Sequence, residues 1–129
     1  MKHYFILFVF VFPFIFGCGH PKVTGTVKFD DGTPLTSGGV TFINSPYQAS
    51  GAITSSGSYE MFELKSGDGV RPGTYQVSVS ATTGGGSDGT PLVHLVDPKF
   101  ENPATSGLTC EVKGNTIFNI TVTKPAPVK

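Results

Sequence analysis

The sequence predicts an all-β fold, an antiparallel two-sheet β-sandwich of about seven strands. Three observations carry that expectation. Short apolar runs alternate with polar residues at a period of two, most clearly from Thr74 to Ala81, where Tyr75, Val77 and Val79 are interleaved with Gln76, Ser78 and Ser80. The 17 glycines and 10 prolines punctuate these runs, which marks frequent turns. No stretch after the N-terminal segment keeps the period of an amphipathic helix. Of 129 residues, roughly 110 remain once a removable leader is set aside, enough for one domain with one core.

The elements follow in order. Val23, Gly25, Val27 and Phe29 face one way and Thr24, Thr26 and Lys28 the other, a half-buried strand that ends in the turn Asp30-Asp31-Gly32-Thr33-Pro34. Gly39 to Asn44 predicts a second strand with Val40 and Phe42 inward, and Gly51 to Thr54 a third around Ile53. Ser55-Ser56-Gly57-Ser58 reads as a hairpin loop in which Gly57 takes a positive φ. Tyr59 and Met61 lead a fourth strand, broken by Gly67-Asp68-Gly69, and Thr74 to Ala81 is the expected central strand. Gly84 to Gly89 is a flexible loop, and Pro91 to Ser106 is irregular. Two final strands place Leu108, Cys110 and Val112, then Phe118, Ile120 and Val122, inward, joined at Lys113-Gly114-Asn115. The sandwich is expected over residues 23–123, with a fraying tail over 124–129.

Charge and composition narrow the partners. Lys plus Arg and Asp plus Glu are balanced at 9 each, so no basic stripe is available to neutralise phosphates, and nucleic acid is not an expected partner.

The N-terminus is a separate device. Met1-Lys2-His3 is followed by an apolar run from Tyr4 to Phe16, a length suited to a secretory leader and short of a bilayer-spanning helix. The run closes in Ile15-Phe16-Gly17-Cys18, which resembles the lipobox of bacterial lipoproteins: a branched apolar residue three before the cysteine and a small one directly before it. The resemblance implies cleavage before Cys18, lipidation of its thiol and a tether over residues 18–22. Two or three acyl chains hold a protein on a bilayer where one does not, since each buried methylene contributes about 0.8 kcal/mol. An ordinary leader with an incidental cysteine, or an uncut anchor, are the alternatives. The anchor suits the inner or the outer membrane alike. With Cys18 acylated, Cys110 stands alone and alternates inward with its neighbours, as a small core residue does.

Within the mature chain, Val23-Thr24-Gly25-Thr26-Val27, Asp31-Gly32-Thr33-Pro34-Leu35, Gly39-Val40-Thr41-Phe42, Gly57-Ser58-Tyr59-Glu60-Met61 and Val70-Arg71-Pro72-Gly73-Thr74-Tyr75 occur in the order seen in carboxypeptidase-regulatory-like domains. The chain resembles these domains, and the small planctomycete lipoproteins that carry them, over about residues 23–123. The resemblance implies a transthyretin (prealbumin)-like sandwich in which Tyr59 and Tyr75 fill the core and these motifs specify the fold.

Few chemistry-bearing residues of the sequence converge. His3, His20 and His94 lie in leader, tether and irregular stretch, so no metal site is expected from them. There is no Gly-x-Ser-x-Gly elbow, and His94 is the one imidazole of the domain available as a base. Asp30-Asp31 invites a calcium or glycosidase reading, yet an Asp-Asp-Gly turn is where aspartate caps its own backbone. Gly84 to Gly89 lacks the Gly-Lys-Ser/Thr ending of a phosphate loop. No cofactor and no catalytic residue are therefore expected. The leading expectation is a non-catalytic envelope lipoprotein, with the membrane as partner through Cys18 and an envelope protein or glycan held by the loops. A carbohydrate-binding lipoprotein is the alternative, with Tyr47 and Phe100 as candidate ligand contacts outside the core pattern. A hydrolase built around His94 and Asp97 is a third.

Overall fold

The computed structural model describes residues 20–64, 67–85 and 87–126. The leader and Cys18 lie outside them. Two four-stranded sheets pack face to face, with a two-stranded ribbon at one end.

The first sheet is built on β1 (Val23–Phe29), with β4 (Ser58–Glu60) antiparallel on one edge. Its other edge is shared by β9 (Thr116–Ile117) and β10 (Ile120–Val122), both parallel to β1. The second sheet runs in the order β3 (Tyr47–Ala52), β2 (Gly39–Asn44), β5 (Gly73–Ser80), β8 (Leu108–Val112), antiparallel throughout. The expected central strand is thus internal to its sheet.

The core is what the period of two requires. Val23, Val27, Tyr59, Ile120 and Val122 of the first sheet face Val40, Phe42, Tyr75, Val77, Val79, Cys110 and Val112 of the second, all buried. Phe42 meets Tyr75 at 5.7 Å between ring centroids within its own sheet, and meets Phe118 edge-on at 6.1 Å across the sandwich. Among the described residues every buried side-chain nitrogen and oxygen has a hydrogen-bond partner. None of the described helices is long and apolar enough to cross a membrane.

Four expectations need correction. The third strand begins at Tyr47 and ends at Ala52, and Ile53, though buried, lies just beyond it. The last strand is two pieces interrupted at Phe118 and Asn119, and it pairs parallel with β1, so the sandwich is not wholly antiparallel. At the interruption the Asn119 side chain replaces the ladder, accepting from the Thr26 amide at 3.2 Å and its hydroxyl at 3.1 Å. Gly25 lies opposite, where a methyl group would meet the Phe118 carbonyl.

The irregular stretch holds two elements. β7 (Val93–His94) pairs with β6 (Thr82–Thr83), and a 3₁₀ turn spans Pro98–Glu101, capped by the Asp97 carboxylate accepting from the Lys99 amide at 3.1 Å. Pro98 suits the first helical position because its missing N–H would have no partner there. Fourth, the start of the tail is held: Lys124 reaches Asp31 at 3.4 Å and lies 5.4 Å from the Phe29 ring centre.

Candidate functional site

The strand directions give the sandwich two ends, and the chemistry-bearing side chains divide between them. At one end the loop after β4 returns to β5. Glu63 and Arg71 close this loop: Arg71 Nε and Nη2 each lie 2.9 Å from a different oxygen of the Glu63 carboxylate, and the Arg71 amide donates to it at 3.1 Å. The paired fork holds the Glu63 carboxyl below its usual range, chiefly through the guanidinium hydrogen bonds. The flat guanidinium also lies 3.7 Å over the Tyr47 ring, a cation–π contact. Tyr75 donates its hydroxyl to the Arg71 carbonyl at 2.7 Å. A hollow of about 210 Å³ opens beside the pair, lined by His20, Glu63, Leu64, Asp68 and Arg71.

At the opposite end, His94 stands between two shallow hollows. One, of about 550 Å³, is lined by Leu92, Val93, Asp97, Pro98, Pro125 and Ala126. The other, of about 410 Å³, is lined by Phe29, Leu35, Thr36, Lys124 and Pro125. Leu92 and Val93 are 56% and 48% exposed beside the larger hollow. His94 Nδ1 lies 2.7 Å from Glu101 Oε1.

These positions settle how the sequence candidates are arranged. Tyr47 is 41% exposed at the start of β3, with one ring face taken by Arg71. Phe100 is 6% exposed and belongs to the core, so it is not a surface platform; the 3₁₀ turn points its ring inward. His94 pairs with Glu101, not with Asp97, whose carboxylate is the cap of that turn. Asp31 is likewise occupied by its own turn, accepting from the Thr33 hydroxyl at 2.6 Å and amide at 2.9 Å, which holds its carboxyl at about 2. Cys110 is a buried free thiol, pushed up by desolvation. Among the described residues no three His, Cys, Asp or Glu side chains gather to hold a metal ion. Cys18 lies outside the described residues.

Two features escaped sequence reasoning. Glu63 and Arg71 are opposite charges flanking Gly67-Asp68-Gly69, and a chain reversal there was the available signal for their pairing. For the His94–Glu101 pair the available signal was Asp97-Pro98, a cap and first-position proline that start the turn carrying Glu101.

The fold and these sites define a small all-β sandwich domain with hollows at its two ends. No family model matches the chain, and no curated protein matches it. Among solved structures it is similar to a protein of the DUF3823 family from Parabacteroides merdae, at 16% identity and a TM-score of 0.47. That alignment covers 84% of this chain and 48% of the other, so this chain spans about half the length of that protein.

Proposed function

We propose that the chain is an exported bacterial lipoprotein, anchored by acyl chains on Cys18, whose sandwich is a non-catalytic structural or interaction module of the cell envelope. The observation that carries this reading is the leader ending in Ile15-Phe16-Gly17-Cys18, where a small residue exposes the scissile bond and the thiol receives the lipid. The order of motifs shared with carboxypeptidase-regulatory-like domains supports a structural role for the sandwich. The non-catalytic part is supported by the candidate carboxylates, which serve their own turns and do not pair with His94: Asp97 accepts from the Lys99 amide and Asp31 from Thr33.

Metabolic labelling with a palmitate analogue tests the anchor. Wild-type protein incorporates label and Cys18→Ser does not; equal incorporation in the two would overturn the proposal. A carbohydrate-binding reading rests on Tyr47, half-exposed with one ring face covered by a guanidinium. Glycan-array binding abolished by Tyr47→Ala would establish that reading, and an array without hits would end it.

A further inference from the structure

We infer that the end of the sandwich bearing the loop between β4 and β5 rests on the lipid headgroups, with Leu64 entering the interface, so that the hollows around His94 face away from the membrane. This inference rests on the proposed lipidation of Cys18.

The described part of the tether, His20 to Lys22, is bound to the domain. The His20 amide donates to the Asp68 carbonyl at 3.2 Å, and the Val70 amide donates to the Pro21 carbonyl at 2.9 Å. Lys22 continues the attachment: its amide donates to Asn115 Oδ1 at 2.9 Å and its carbonyl accepts from the Thr116 amide at 2.9 Å. Gly69, at φ +74°, presses so closely on this segment that a methyl group there would lie 2.6 Å from the Pro21 carbonyl oxygen. The chain is therefore fixed in place from His20 onward.

Only one residue separates His20 from Cys18. Two residues of chain span at most about 7 Å, whatever their conformation. An acylated cysteine so close to a fixed point brings that end of the sandwich to the bilayer surface.

The side chains there suit such a surface. Leu64 lines the same hollow as His20 and is 89% exposed, more than Ile117, Leu92, Val93 or Tyr47. Tyr47 stands close by, stacked on the Arg71 guanidinium that Glu63 already pairs, an aromatic ring of the kind that settles at headgroup level. β5 then carries the chain from Gly73 to Ser80, roughly 23 Å at the rise of a strand, to the end where β6 and β7 place Leu92 and Val93.

The test uses the full mature lipoprotein in vesicles of phosphatidylethanolamine and phosphatidylglycerol, with Leu64→Cys or Leu92→Cys carrying an environment-sensitive fluorophore. Cys110 is 3% exposed, and the parent protein measures its background labelling. Lipids brominated near the headgroup should quench the probe at 64 several-fold more than the probe at 92. Equal quenching, stronger quenching at 92, or a probe at 64 shielded from solvent yet unquenched because a second copy covers it, would each overturn the orientation. Intact mass of the same samples separates the two failures: acyl mass with the wrong quenching pattern overturns the orientation alone, and absence of acyl mass overturns the anchor and the orientation with it.

Discussion

Replacing Gly25 by alanine probes the contact that joins the first strand to the interrupted last one. Gly25 does not have a positive φ, so the substitution acts through volume and not backbone strain. The added methyl would lie 2.7 Å from the Phe118 carbonyl carbon, nearer still to its oxygen, and 2.8 Å from the Tyr59 hydroxyl. These positions are already filled by a hydrogen bond, Tyr59 donating to the Phe118 carbonyl, with Tyr59 3% exposed. Forcing a methyl into a filled site costs about 1–3 kcal/mol. Parting a buried carbonyl from its donor costs about another 1–3 kcal/mol. The expected loss is therefore on the order of 3 kcal/mol, a fall in Tm of roughly 12–20 °C for a domain of this size.

Urea denaturation followed by circular dichroism and tyrosine fluorescence measures that loss, the chain having four tyrosines and no tryptophan. Gly39→Ala is the control, because its methyl would meet only the Gly51 carbonyl at 3.5 Å, an ordinary contact, and should change stability by less than about 0.5 kcal/mol. Tyr59→Phe alone should cost about 1–2 kcal/mol. Combined with Gly25→Ala it should cost less than the sum, since both remove the same bond. An unchanged midpoint for Gly25→Ala, or full additivity with Tyr59→Phe, would refute the reasoning.

Three further outcomes are expected. The hydroxyl and amide of Thr33 hold the Asp31 carboxyl at about 2, against its ordinary 3.8. A folded-state value below the unfolded one stabilises the fold above the unfolded value and fades as pH falls from about 4 to about 2; carboxyl NMR should find the Asp31 midpoint near 2, and a midpoint at 3.8 would contradict the turn. Cys110 should react with a thiol reagent at least roughly a hundredfold more slowly in the native protein than in denaturant, because reaction requires opening of the core; comparable rates would place it at the surface. Arg71→Lys loses the two-pronged grip on Glu63 and the stacking on Tyr47, and should cost about 1 kcal/mol in urea denaturation. Lys113→Ala, which breaks an ion pair exposed on both sides, should cost close to nothing, and equal costs would deny Arg71 its role.

The parts legible in the sequence are those in which a strand buries one face against the other sheet. β1, β2, β5 and β8 alternate because they do so, and each lies within a residue of its expected place. β3 lies upstream of its expected place because Ala49, Ser50 and Gly51 carry too little apolar contrast, while the one strongly apolar residue, buried Ile53, lies just past the strand end. Gly51 is small for a reason visible only in three dimensions, since a methyl there would strike the backbone of Glu60. Parallel pairing of β10 with β1 leaves no local trace, because the strand that β10 joins lies almost the whole domain away in sequence.

The candidate sites followed the same division. Phe100 stands among polar residues and reads as exposed, yet a single 3₁₀ turn, started by Asp97 and Pro98, is enough to bury it. That turn also returns Glu101 to His94. Tyr59 and Tyr75 read correctly as core fillers, but their hydroxyls do a second task, satisfying the carbonyls of Phe118 and Arg71.

Mass spectrometry of the N-terminal peptide from membrane-extracted protein examines the proposed lipidation of Cys18 most directly. The expected peptide begins at Cys18 and carries a diacylglyceryl group on sulfur. A peptide from soluble protein that begins elsewhere, or that begins at Cys18 with a free thiol, would contradict it.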